Sequence, residues 1–164
     1  MKFEEKLNET YQEIATKINE IIPTEWEQVY TMAYIDEESE EVFFNYTTPG
    51  SDDLHYYTAI PEDYSVSEKI FDELLDELYE SFEKLRDLFK EENQEPWTSC
   101  EFDFTNEGKL NVSFDYIDWE NSEFGPLAQE NYYKYKKFGM IPEYEDEREE
   151  IKEIEQFIKE QEEE

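Results

Sequence analysis

Along the first part of the chain, apolar residues recur at spacings of three and four: Phe3, Leu7, Tyr11, Ile14, Ala15, Ile18 and Ile22. That period puts them on one side of a helix with a single buried face. Pro23 ends the pattern, because the residue before a proline is steered out of helical geometry. The period then drops to two. Aromatic and β-branched runs at 28–35, 41–48 and 54–60 are separated by "DEESEE" and "TPGSDD", and they predict three antiparallel strands in a meander. Next, "SVSE" at 65–68 has the form of a capping box, in which a serine and a carboxylate three residues on satisfy free backbone N–H groups at a helix start. A long helix is predicted from Ser65, with Ile70, Phe71, Leu74, Leu78, Leu85 and Phe89 on its apolar stripe before "NQEP".

Beyond Pro96 the pattern alternates again. Cys100, Phe102 and Phe104 share one side of a strand, and Glu101 and Asp103 the other. The turn "NEGK" leads to a further strand whose inward face holds Leu110, Val112, Phe114 and Tyr116. Two helices follow, near 126–138 and 144–163. In the last, Glu145/Glu149 and Glu149/Glu153 repel at four-residue spacing, so its end is expected to fray into a mobile acidic tail from about residue 159. The predicted fold is α+β: a five-strand antiparallel sheet covered on one face by two long helices, with two C-terminal helices. A chain of 164 residues fits one domain, 1–164, with a proper core.

Charge changes the picture more than length does. With 47 acids against 14 bases the formal net charge is -33, so nucleic acid and anionic membranes are opposed as partners and a basic partner is implied. Acidic, hydrophilic chains are often disordered, but 17% aromatic content argues that this one folds. It must do so against its own repulsion, which predicts salt-sensitive stability. Cys100 is the single cysteine, so no intrachain disulfide forms and nothing points to an oxidising compartment. The opening "MKFEEKLNET" lacks the apolar core of a signal peptide and no run approaches a membrane span, so a cytoplasmic protein is expected.

Candidate chemistry is sparse. Zinc needs clustered histidines or cysteines, and the chain offers only His55 and Cys100. Neither "DEESEE" nor "SDD" has the glycine and ligand spacing of a calcium loop. Carboxylate pairs arise by chance among so many acids and therefore carry no information. No phosphate loop or nucleophile motif occurs. His55 reads as a packed histidine and Cys100 as a small core hydrophobe. Catalytic residues, metal and cofactor are all expected to be absent, and the protein is not expected to be an enzyme.

The stretch "SFDYIDWENSEFG" at 113–125 threads Asp115, Asp118, Glu120 and Glu123 between aromatics. Strand alternation accounts for Phe114 and Tyr116 as core, but not for Trp119 and Phe124 in the loop. Aromatics flanked by carboxylates have the composition of an interface hot spot. The same rings can also pin the loop to the core, and both readings stand at this point. The run "NYYKYKKFG" at 131–139 holds three bases and no acid, and reads as internal compensation for the neighbouring acidic loop.

Four blocks carry a resemblance: "WEQVYTMAYID", "EVFFNYTTPGSDDLHYYTAIP", "LRDLFKEENQEPWTSCEFDFTNEGKLNVSFDYIDWENSEFG" and "NYYKYKKFGMIPE". Together they resemble the antitoxin YezG family, and within it the EsaG-type branch, over nearly the whole chain. The resemblance implies a cytoplasmic immunity protein that binds and inhibits a DNA-degrading nuclease toxin exported by a type VII secretion system. The implied partner is a cognate nuclease with a basic substrate groove. Joined to the charge argument, it makes Asp115, Asp118, Glu120 and Glu123 the carboxylates that face the toxin, with Trp119 as a desolvated anchor. The alternative is an acidic adaptor or chaperone for a basic secretion substrate, which binds without inhibiting. A carboxylate-based hydrolase is a third reading, for which no acid pair stands out.

Overall fold

The N-terminal stripe folds as helix α1 (Phe3–Ile21), with Ile14, Ile18 and Ile21 buried. Ile22 is already extended and closes the helix through its N–H to the Ile18 carbonyl. The computed structural model describes residues 2–163, and the chain divides into two compact units, Met1–Tyr116 and Ile117–Glu164.

The first unit is built on five strands: β1 (Gln28–Ile35), β2 (Glu40–Thr47), β3 (His55–Tyr56), β4 (Ser99–Thr105) and β5 (Leu110–Asp115). Their order is β3-β2-β1-β4-β5 and every neighbouring pair is antiparallel. The register sets Val29 beside Tyr46 and Phe104, and Ala33 beside Val42 and Cys100, so one face is apolar across three strands. Against that face lie α1 and the long helix α3 (Glu68–Glu91), which bring Ile14, Ile18, Leu78, Phe82 and Leu85 to full burial. Each such side chain contributes about 1.5–3 kcal/mol of burial free energy. Both helices grip one ring: Phe102 meets Tyr11 at 5.9 Å and Phe82 at 6.1 Å, edge-on in each case.

Three local expectations change. The third strand, expected over 54–60, is only His55–Tyr56, followed by a 3-10 turn at Tyr57–Ala59 and the short helix α2 (Ile60–Asp63). Pro61 cannot donate to a ladder but suits a first helical turn. Turning there buries Ile60 fully and sets Tyr57 against Phe44 and Phe71, with centroids 5.3 and 6.4 Å apart. The cap of α3 is Ser67, not Ser65: its Oγ accepts the Ile70 N–H at 3.4 Å. Ser65 is instead held at φ +53° in the turn where the Val66 N–H bonds to the Pro61 carbonyl. Glu68 is thus the first helical residue and no reciprocal box forms. Finally, Leu110 and Tyr116 are 44% and 43% exposed rather than core. β5 lies at the sheet edge, where Val112 and Phe114 are half-buried against the core, Phe114 meeting Phe89 at 5.0 Å and Trp97 at 5.9 Å.

The second unit is a pair of helices, α4 (Pro126–Phe138) and α5 (Glu145–Glu162). Pro126 opens α4, and Gly139 closes it in the left-handed conformation, φ +70°, donating to the Tyr135 carbonyl. The Asn131 amide near mid-α4 donates to Glu147 in the first turn of α5 at 2.9 Å, which fixes an antiparallel hairpin. The segment expected as a tail from residue 159 is helical through Glu162, and Glu164 lies outside the described residues. Among the described residues no helix is long and apolar enough to cross a membrane.

Candidate partner-binding surface

The loop before α4 is held by its own polar groups. The Asp118 carboxylate accepts from the Asn121 N–H at 3.3 Å and from its side-chain amide at 2.8 Å, while the Asp118 N–H donates to Gln161 on α5 at 3.1 Å. The Ser122 hydroxyl donates to the Trp119 carbonyl at 2.7 Å and accepts the Phe124 N–H at 3.1 Å. These bonds fix the direction of both rings. Trp119 packs 6.0 Å from Phe157 and 6.5 Å from Tyr132, and Phe124 lies 5.7 Å from Phe157. They are only 5% and 7% exposed.

Trp119, expected as a desolvated anchor for a partner, is therefore turned into its own unit. The cause is volume. α4 buries only Ala128, Gln129 and Tyr133, and its one large aliphatic residue, Leu127, is 66% exposed. A hairpin with so thin a face needs the loop rings to complete its core. With the rings inside, Asp118, Glu120 and Glu123 are brought together on the solvent side of one tied loop. Asp115 belongs to the first unit, at the end of β5. It is exposed, and its carboxylate accepts the Tyr116 N–H at 2.7 Å.

The opposite end of the hairpin holds a feature that periodicity does not report. Met140, Ile141 and Tyr144 are 42%, 69% and 63% exposed within five residues, close to the exposed Lys136. The connection is shaped rather than loose, since Arg148 donates to the carbonyls of Pro142 and Glu143 at 3.0 and 2.6 Å. The available signal was the glycine cap at Gly139, after which three large apolar side chains fall where no element can cover them.

The groups with most chemical potential are packed away. Burial, with Glu101 and Asp103 nearby, pushes the Cys100 thiol well above its ordinary range, which leaves it unreactive. His55 stacks on Tyr46 at 5.3 Å. Among the described residues no three His, Cys, Asp or Glu side chains are grouped to hold a metal ion. What the surface offers is charge and shape.

Residues 7–152 match the family model described as immunity protein YezG-like. The chain belongs to that family. It is 66% identical to the type VII secretion system protein EsaG of Staphylococcus aureus, over 99% of this chain and 100% of the relative. It is 40% identical to the immunity protein YezG of Bacillus spizizenii, over 84% of this chain and 85% of the relative. The immunity protein YezG of Bacillus subtilis matches at 35%, over 87% and 95%. An immunity protein needs a surface that fits a toxin, and a tied, exposed acidic loop is consistent with that requirement.

Proposed function

We propose that this chain binds and inhibits a secreted, DNA-degrading nuclease toxin in the cytoplasm, through its acidic surface. Membership of the immunity family, read together with the net charge of -33, carries the reading. The 66% identity to a relative named for type VII secretion supports a toxin that uses that route. A nuclease must present basic residues to phosphates, so an acidic protein gains steering on approach and charge-assisted contacts on arrival. Asp115, Asp118, Glu120 and Glu123 supply those contacts, while Trp119 acts by holding the loop that presents three of them. Ile141 and Tyr144 offer the uncharged contact area that a tight interface needs.

The deciding experiment mixes the purified chain with its cognate nuclease and follows DNA cleavage across a salt series. Inhibition near equimolar ratio that weakens as salt rises supports the reading. Unchanged cleavage at stoichiometric excess discards it, and binding without inhibition points to the adaptor role instead. Footprinting of the nuclease in the complex then separates protection of its groove from loss of its secondary structure.

A further inference from the structure

One edge of the sheet is left open. Strand β5 is terminal in the order β3-β2-β1-β4-β5, and pairs only with β4. The Thr105 N–H donates to the Lys109 carbonyl at 2.9 Å, and the register then sets Asp103 opposite Asn111 and Glu101 opposite Ser113. The alternation of an antiparallel ladder turns the backbone groups of Asn111 and Ser113 toward β4, and those of Leu110, Val112 and Phe114 away from it. Among the described residues, no hydrogen bond reaches the N–H groups of those three. The edge is also wet: Leu110 is 44% exposed, and Asn111, Ser113 and Asp115 are exposed.

Proteins usually blunt such an edge with a proline, a lysine, a bulge or brevity. From Leu110 to Asp115 there is no proline, no lysine and no break in register. The other edge, β3, is two residues long and gives little to pair with. We propose that the β5 edge is a docking site for an extended, basic segment of the partner, which adds to the sheet as a sixth strand. This rests on the reading of a basic nuclease as the partner.

The side chains of β5 specify the segment. On the core side an incoming strand meets Leu110, Val112 and Phe114, and on the other side Asn111, Ser113 and Asp115. It should therefore alternate apolar residues with lysine or arginine, since cross-strand pairs set the preference. A second copy of this chain is a poor occupant. Strands in a sheet lie about 4.8 Å apart. That is inside the screening length of about 8 Å at physiological salt, so two chains of charge -33 would repel at the edge.

The test uses the full chain and two probes, the cognate nuclease and a synthetic peptide alternating valine with lysine. Val112→Pro removes an outward N–H and blocks an incoming strand, while leaving every bond to β4 in place, because proline is tolerated where the edge N–H faces solvent. The expected result is a loss of nuclease affinity of thirty-fold or more while amide protection of Asn111 and Ser113 against β4 is kept. Its melting temperature should fall no further than that of Val112→Ala, which loses the same core packing but keeps the N–H and wild-type nuclease affinity. In the unaltered chain, backbone amide exchange at Leu110, Val112 and Phe114 should slow at least ten-fold on adding either probe, and not with a valine–glutamate peptide. Should Val112→Pro misfold, the exchange measurement still decides. Wild-type affinity in Val112→Pro, unchanged exchange in the nuclease complex, or protection that grows with the concentration of this chain alone would each overturn the proposal. A chain that fails to bind the nuclease yet gains protection from the lysine peptide would overturn the functional reading and leave the edge site standing. Failure of both probes removes the edge site.

Discussion

Replacing Trp119 with alanine distinguishes a ring that serves its own loop from one that serves a partner. The indole is 5% exposed and sits 6.0 Å from Phe157 and 6.5 Å from Tyr132, among a small buried set that includes Phe124, Tyr133, Ile151 and Ile154. Removing a buried tryptophan from close packing costs about 3–5 kcal/mol, as lost transfer free energy and a cavity that collapses only in part. At about 1.4 kcal/mol per decade, that raises the opening equilibrium of the hairpin by roughly two to four decades, up to the limit of its own stability. The assay is amide exchange over 118–162. Trp119→Ala should lose protection across α4 and α5, Trp119→Phe should recover most of it, and nuclease affinity should fall only with the folded fraction of the hairpin. Full protection of α4 and α5 combined with a large loss of nuclease binding would refute this account, because it would mean that the indole reaches the partner.

The start of α3 gives a paired test. Ser67→Ala should cost about 1 kcal/mol by removing the cap on the Ile70 N–H, whereas Ser65→Gly should gain about 1 kcal/mol by relieving a left-handed serine at φ +53°, with denaturation midpoints moving in opposite directions. Arg86 is buried and donates through Nε to the Trp97 carbonyl at 2.8 Å, so Arg86→Met should destabilise by about 1.5–3 kcal/mol, in line with a charge-assisted bond, and equal stability would sink the point. Glu40 is pushed up to about 7 by desolvation, with its hydrogen bond to Glu83 and the Glu83 charge adding to the effect. A carboxyl held above its unfolded value binds more protons folded than unfolded, so its contribution is present at low pH and is lost as pH rises from about 4.5 through about 7. Glu40→Gln should therefore gain stability over the unaltered chain between pH 5 and pH 8, by about 1 kcal/mol or less because the group is exposed. A gap between the two proteins that is the same at both pH values would contradict it.

Where one period dominated, the sequence was enough. The stripes of α1 and α3 run for five or more turns with polar residues opposite, and they are buried as expected apart from Ile70, which is 53% exposed in the first turn of α3. The alternation at Cys100, Phe102 and Phe104 likewise survived because β4 is an interior strand, paired on both sides and covered on that face. The misses share a cause: local pattern competed with a tertiary demand. Leu54 to Ile60 has strand-forming residues, but burying Ile60 and seating Tyr57 on Phe44 needs the chain to leave the sheet after Tyr56. "SVSE" offers two serines two residues apart, and only backbone geometry chooses between them. Tyr116 continues the inward parity of β5 past the strand's end, where there is no core beneath it.

For the candidate surface, residue type was legible and direction was not. Composition alone placed carboxylates and large rings in one loop, and both the inward and outward orientations of Trp119 satisfied it. The deciding signal lay elsewhere, in "PLAQENYYKYKKF": a helix whose single large aliphatic sits beside its opening proline, and whose other apolar residues are one alanine, three tyrosines and the terminal Phe138, has little face to bury against α5 by itself. The missing volume has to come from adjoining chain, and the adjoining chain holds Trp119 and Phe124. By the same reasoning Met140, Ile141 and Tyr144, which follow the glycine cap, complete no stripe and stay at the surface. Trp119 thus fills its own unit at 5% exposure, while Ile141 and Tyr144 stay open at 69% and 63%, so replacing each of these two with serine tests the proposed apolar contact area without removing buried volume.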